Sequence, residues 1–175
     1  KYRDRFRVLA PVNAATREKV ISAYRETPRI IHFAGHGDSR SLSVIVDQQI
    51  VASQVSMSGE DLAAILRLFP EKPRLCVLNT CESGQIAEHI VSEGSVSAAV
   101  GWLSTISDDE AIKFARMLYQ SLGDGMSLAR AVALAGQNAS NDRFKIYARG
   151  TRAEEFILGA VWPNSLRNSR ATHGE

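Results

Sequence analysis

The sequence predicts an α/β fold, and three observations carry that prediction. Short apolar runs alternate with segments of helical period along nearly the whole chain. Two of the runs, Arg29 to Ala34 and Arg74 to Asn79, are almost continuously apolar, as strands covered by helices on both faces should be. Ser58-Gly59-Glu60-Asp61 and Ser107-Asp108-Asp109-Glu110 have the form of capping boxes and open segments of helical period.

Taken in order, Phe6 to Ala10 reads as a first strand closed by Pro11, and Ala14 to Glu26 as a helix burying Val20, Ile21 and Tyr24. The strand Arg29 to Ala34 ends in the loop Gly35-His36-Gly37. Leu42 to Val46 and Gln49 to Ala52 flank Asp47-Gln48, which could turn a hairpin, and the first capping box starts a helix to Phe69. Arg74 to Asn79 is followed by Thr80-Cys81-Glu82-Ser83-Gly84 and a helix to about Glu93. Val96 to Trp102 is the next strand. The second box opens a helix to Leu122, ended by Gly123-Asp124-Gly125. An alanine-rich helix over Ser127 to Ala139 and a closing strand over Phe156 to Trp162 complete the series. Residues 1–163 are expected to form one domain, with residues 164–175 a polar, disordered tail.

Composition bounds the function. The chain has 175 residues, 45% hydrophobic and 23% charged, with a formal charge of +2. A core of this size buries about 70% of the unfolded surface and needs neither disulfide nor metal. Cys76 and Cys81 are too few for a disulfide scaffold. No run approaches the roughly 18 apolar residues of a membrane span, and no signal-peptide pattern opens the chain. A cytoplasmic location and no membrane partner are therefore expected. With 21 Lys and Arg against 19 acids there is little net field for nucleic acid, and no direct nucleic-acid partner is expected. Lys1 stands first in place of Met, which suggests a processed chain or a piece of a longer one.

In open parallel sheets the ligand crevice lies beyond the carboxyl ends of the strands. His36 follows one buried strand and Cys81 another, so parallel neighbours would bring them to one edge, the geometry a Cys/His pair requires. A free thiol has a pKa of about 8.5, and a helix N-terminus and an imidazolium both favour its anion. The N–H groups of Cys81 and Gly37 are candidate donors to an oxyanion. Cys76, mid-strand, reads as buried and inert. His32 reads as a core histidine bonded to a backbone carbonyl and able to buttress His36.

No metal or cofactor is expected. His32 and His36 are about 13 Å apart along a strand, too far to share a zinc with bonds of about 2.0–2.3 Å, and Cys76 and Cys81 point to opposite faces. Gly35-His36-Gly37-Asp38 is a weak phosphate-loop candidate without a P-loop lysine or a following helix.

The segments Ile30-Ile31-His32-Phe33-Ala34-Gly35-His36-Gly37 and Cys76-Val77-Leu78-Asn79-Thr80-Cys81-Glu82-Ser83-Gly84 resemble the two active-site motifs of CHAT domains, caspase-like peptidases related to separase. His36 precedes Cys81 by 45 residues, near the roughly 50 of caspases. The resemblance covers about Phe6 to Trp162; it departs at Ser104, where many relatives carry tryptophan. It implies a caspase-like three-layer sandwich, with a mostly parallel six-stranded sheet between helices. It also implies a cysteine endopeptidase acting on a protein substrate, with Cys81 as nucleophile, His36 as acid and base, and Gly37 and Cys81 N–H as the oxyanion hole. Further expectations are that Asn79 lies on the floor of the substrate pocket and that Asp108 recognises a basic residue, with Asp47, Glu82 and Asp109 as weaker candidates. The family implies the protease effector of a bacterial defence or cell-death system, or alternatively an inactive scaffold. Only Gly94 and Ser95 separate the helix after Cys81 from the strand at Val96, which leaves no cleavable linker. Activation is therefore expected from a sensor domain or partner outside this chain.

Overall fold

The computed structural model describes residues 6–12, 16–46, 53–69, 71–137 and 143–150. The described helices are α1 (Arg17–Tyr24), α2 (Gly59–Arg67), α3 (Gly84–Ser92), α4 (Asp108–Gly123) and α5 (Leu128–Gln137). The strands are β1 (Ile30–Ala34), β2 (Ser41–Val46), β3 (Ser53–Ser58), β4 (Leu75–Asn79), β5 (Ala98–Trp102) and β6 (Phe144–Ala148). One mixed sheet runs β1-β4-β5-β6, parallel except for β6, while β2 and β3 form a separate antiparallel hairpin.

The chemistry of each helix start is visible in its first residues. Thr16 caps α1 by accepting from Lys19 N–H at 3.2 Å. Both predicted capping boxes form: Ser58 with Asp61 opens α2, and Ser107 with Glu110 opens α4.

Strand alternation divides the core into two. Cys76 and Leu78 of β4 and Ala99 of β5 face α1, α2 and α3. Leu75 and Val77 of β4, with Ala98, Val100 and Trp102 of β5, face α4 and α5. The result is a three-layer α/β sandwich, and β4 and β5 are buried along their whole length.

The expected six-stranded sheet is seen only in part. Among the described residues the main sheet has four strands; the hairpin forms a sheet of its own and touches the histidine loop only through an isolated bridge between Leu42 and Gly37. Phe6 to Ala10 forms no strand: Phe6 packs edge-on against Tyr119, Arg7 pairs with Glu26, and Val8 is 87% exposed, so no alternating face is buried. For the same reason β1 is an edge strand of the described sheet and only half-buried, unlike the fully covered strand expected. The hairpin's second strand lies at Ser53–Ser58; Asp47, Gln48 and Gln49 to Ala52 fall outside the described residues. Strand β6 was not expected, yet its signal is plain in Phe144-Lys145-Ile146-Tyr147-Ala148. Phe144, Ile146 and Ala148 enter one core and Tyr147 the other. The expected strand Phe156 to Trp162 and tail 164–175 lie outside the described residues.

Candidate active site

Strands β1 and β4 are parallel neighbours paired from Ile30↔Leu75 to Ala34↔Asn79. The two motifs therefore leave the sheet side by side, His36 two residues past the end of β1 and Cys81 two past the end of β4. The loops touch: a Cβ added to Gly37 would lie 2.9 Å from the Ser41 carbonyl oxygen and 3.1 Å from Thr80 Oγ1. Any side chain at 37 would push the histidine loop off the cysteine turn. Beyond Gly37, Asp38 Oδ1 accepts from the N–H groups of Arg40 and Ser41, each at 2.8 Å, which pins the loop and lowers the Asp38 pKa.

His36 is exposed, and among the described residues its ring makes no hydrogen bond. Cys81 is half-buried, and its sulfur faces Ile106: the Ile106 N–H donates to Sγ at 3.5 Å and the thiol donates to the Ile106 carbonyl at 3.8 Å. The structure thus brings the two loops together but leaves thiol and imidazole unbonded to each other. Ile106 immediately precedes Ser107, the N-cap of α4, so the start of that helix lies near the sulfur, and Cys81 itself stands three residues before the first residue of α3. Neither Gly37 N–H nor Cys81 N–H donates to any described residue.

The cysteine turn is held from several sides. Glu82 has φ of 51°, a left-handed conformation unusual for a non-glycine residue, and its N–H donates to the Ser104 carbonyl at 3.2 Å. Ser83 is fully buried; its hydroxyl donates toward the carbonyls of Leu78 and Thr80 and accepts from Trp102 N–H. Gly101 lies directly beneath, where a Cβ would meet the Ser83 carbonyl oxygen at 2.7 Å and Gly84 Cα at 2.9 Å. Gly101→Ala is therefore expected to destabilise the fold by roughly 1–3 kcal/mol, since the start of α3 and strand β5 must be forced apart. A urea titration checks this, and an unchanged midpoint would contradict the close packing.

The opposite wall is the segment from Leu103 to Ser107. Arg143 clamps it, donating to Ser104 Oγ at 2.8 Å and to the Glu110 carboxylate at 2.9 Å. The Ser107 amide and hydroxyl, with Arg143, hold the Glu110 carboxyl below its usual range. This clamp is at full strength above the ordinary carboxylate range and is lost as pH falls through the lowered value. Asp108 is exposed on the first turn of α4, two residues beyond the contact with Cys81; the cap itself is supplied by Ser107. Glu82 and Asp109 are exposed as well.

Asn79 is only 5% exposed and engages both ends of its amide inside the fold, accepting from the Trp102 indole N–H at 2.9 Å and donating to the Ala111 carbonyl at 3.0 Å. Cys76 is fully buried, and burial pushes its thiol up to about 12, so it stays protonated. His32 differs from expectation: it is exposed on edge strand β1, and its Nδ1 bonds the Tyr119 hydroxyl at 2.8 Å, not a backbone carbonyl. Sequence reasoning missed Asp38, Ser83 and Arg143. For Ser83 a signal existed, a hydroxyl in the tight connection from strand to helix.

Among the described residues no three His, Cys, Asp or Glu side chains could together hold a metal ion, and no helix is long and apolar enough to cross a membrane. A family model for the CHAT domain matches residues 3–149, and the chain belongs to that family. No curated protein matches it. Among solved structures it is similar to a secreted C11 cysteine protease from Bacteroides thetaiotaomicron in complex with an irreversible peptide inhibitor. The identity is 14% and the TM-score 0.49, with 75% of this chain and 42% of that chain covered. The chain thus spans less than half of that protein's length.

Proposed function

We propose that this CHAT domain is a cysteine endopeptidase with Cys81 as nucleophile and His36 as its acid and base. The observation that carries the reading is the in-register parallel pairing of β1 with β4, which ends the two motifs at one sheet edge. In the reaction, His36 takes the thiol proton and Cys81 Sγ forms a bond to the scissile carbonyl carbon, sending the π electrons to oxygen. The N–H groups of Gly37 and Cys81 stabilise that oxyanion. Collapse expels the amine, which takes the proton from His36, and water then hydrolyses the thioester with His36 again as base.

The substrate is a protein target. Asp108, exposed beside the cysteine turn, recognises a basic residue before the cut, with Asn79 a rigid part of the pocket floor. The dyad requires the thiol to leave Ile106, which fits activation by a sensor domain or partner protein in a bacterial defence or cell-death system. Self-cleavage between α3 and β5 does not fit: Ser95 and Val96 are buried there, and Ser95 donates to the Ala63 carbonyl at 3.1 Å.

The seat of the thiol on Ile106 also favours a second reading, an inactive scaffold that docks a partner. Incubating wild-type and Cys81→Ala protein with a peptide library, alone and with candidate neighbour proteins, separates the two. Peptidase activity predicts cleavage after Arg or Lys that disappears in Cys81→Ala. Cleavage confined to acidic residues sinks the role of Asp108, and identical product spectra from both proteins sink the peptidase.

A further inference from the structure

Ser83 is the N-cap residue of α3, yet its side chain makes no hydrogen bond to that helix. A capping serine is commonly worth about 1 kcal/mol, so a hydroxyl turned away from this task forgoes a usual source of stability. Here it points back into the turn. It accepts from Trp102 N–H at 3.1 Å, and its own proton lies between the Leu78 carbonyl at 2.8 Å and the Thr80 carbonyl at 2.9 Å.

The Thr80 carbonyl belongs to the same planar peptide unit as the Cys81 N–H. The structure has no cis peptide bonds, and in a trans peptide the C=O and N–H point in opposite directions. Holding Thr80 O from the buried side therefore aims the Cys81 N–H away from Ser83, out of the turn, where no described residue accepts it. The left-handed Glu82 and the close contact of Gly101 with the Ser83 backbone keep the hydroxyl in place.

We infer that Ser83 is a positioning residue for the oxyanion site, setting the direction of the Cys81 N–H through the Thr80 carbonyl. The inference rests on the peptidase reading and assigns Ser83 no contact with substrate. It separates two kinds of chemistry at the same sulfur. Acylation by 4-nitrophenyl acetate forms an S–C bond, places the carbonyl electrons on oxygen, and then expels 4-nitrophenolate. Alkylation by iodoacetamide displaces iodide directly and forms no oxyanion.

The test is the ratio of acylation to alkylation rates at Cys81, read by nitrophenolate release and by mass at that residue, with glutathione as the free-thiol reference. The wild-type ratio is expected to exceed that of glutathione. Ser83→Ala is expected to lower it about tenfold, less than the roughly hundredfold or more for deleting a donor outright, while alkylation stays near the wild-type rate. An elevated wild-type ratio that Ser83→Ala leaves unchanged overturns the inference and leaves the peptidase reading standing. Equal losses in both reactions overturn it too, because the whole turn has then collapsed. A wild-type ratio no higher than that of glutathione means that the resting turn holds no formed oxyanion site, which overturns the inference, while the peptidase reading stands or falls on cleavage by the activated protein. Should Ser83→Ala fail to fold, Ser83→Cys, similar in shape but a weak hydrogen-bonding group, is read the same way, with fragment spectra separating positions 81 and 83.

Discussion

His36→Ala is expected to slow peptide cleavage by about 10²–10⁴-fold, the usual contribution of a positioned general acid and base. The exposed ring makes no hydrogen bond to any described residue, so its removal leaves the fold intact and the loss is one of chemistry. Thermal unfolding of the variant should match wild type, and thiol-probe labelling of Cys81 should fall with the cleavage rate. Cleavage within tenfold of wild type would assign the base to another group and break the dyad. The measurement belongs on activated protein, with the partner that triggers cleavage present, because the thiol at rest bonds Ile106.

Trp102→Ala is expected to bring the largest loss of stability, roughly 3–5 kcal/mol for the lost apolar burial and the cavity together. Trp102 is 1% exposed and packs against Phe114 at 5.0 Å and Phe144 at 5.8 Å between ring centroids. Its indole N–H also satisfies the buried Asn79 oxygen, and an orphaned acceptor adds about 1–3 kcal/mol, not fully additively. Against a total of about 5–15 kcal/mol, such a loss brings a domain close to unfolding. Trp102→Phe keeps most of the ring volume and isolates the hydrogen bond, so it should cost roughly 1–3 kcal/mol. Urea unfolding followed by circular dichroism reads both variants. A loss under about 1 kcal/mol for Trp102→Ala would mean that neither the ring cluster nor Asn79 depends on it.

Much of the layered core was legible along the chain. Leu75-Cys76-Val77-Leu78 reads as a buried strand because every residue is apolar, and both capping boxes form where their side chains allow, because a serine and an acid three residues later satisfy each other's neighbours. Strand β6 was legible in principle, through Phe144, Ile146 and Ala148 at alternate positions, but it is only 5 residues long and carries a weak period. Phe6 to Ala10 shows the converse. Its apolar run suits a strand, yet pairing depends on whether neighbours bury one of its faces, and Val8 is left in solvent.

The candidate site divides along the same line. The sequence by itself determined that His36 and Cys81 each follow a strand, that Cys76 is core, and that Gly35 and Gly37 flank His36 while Gly84 follows Cys81, because these depend on residues adjacent in the chain. Only the tertiary structure decided which way the reactive groups face. The contact of Gly37 with Thr80, the thiol's bond to Ile106, the Arg143 clamp and the backward turn of the Ser83 hydroxyl each join residues from different elements or reverse a local preference. A hydrogen bond is fixed by distance and direction in space, to within a few tenths of an ångström, and nothing in the order of residues encodes that until the sheet has brought its strands together.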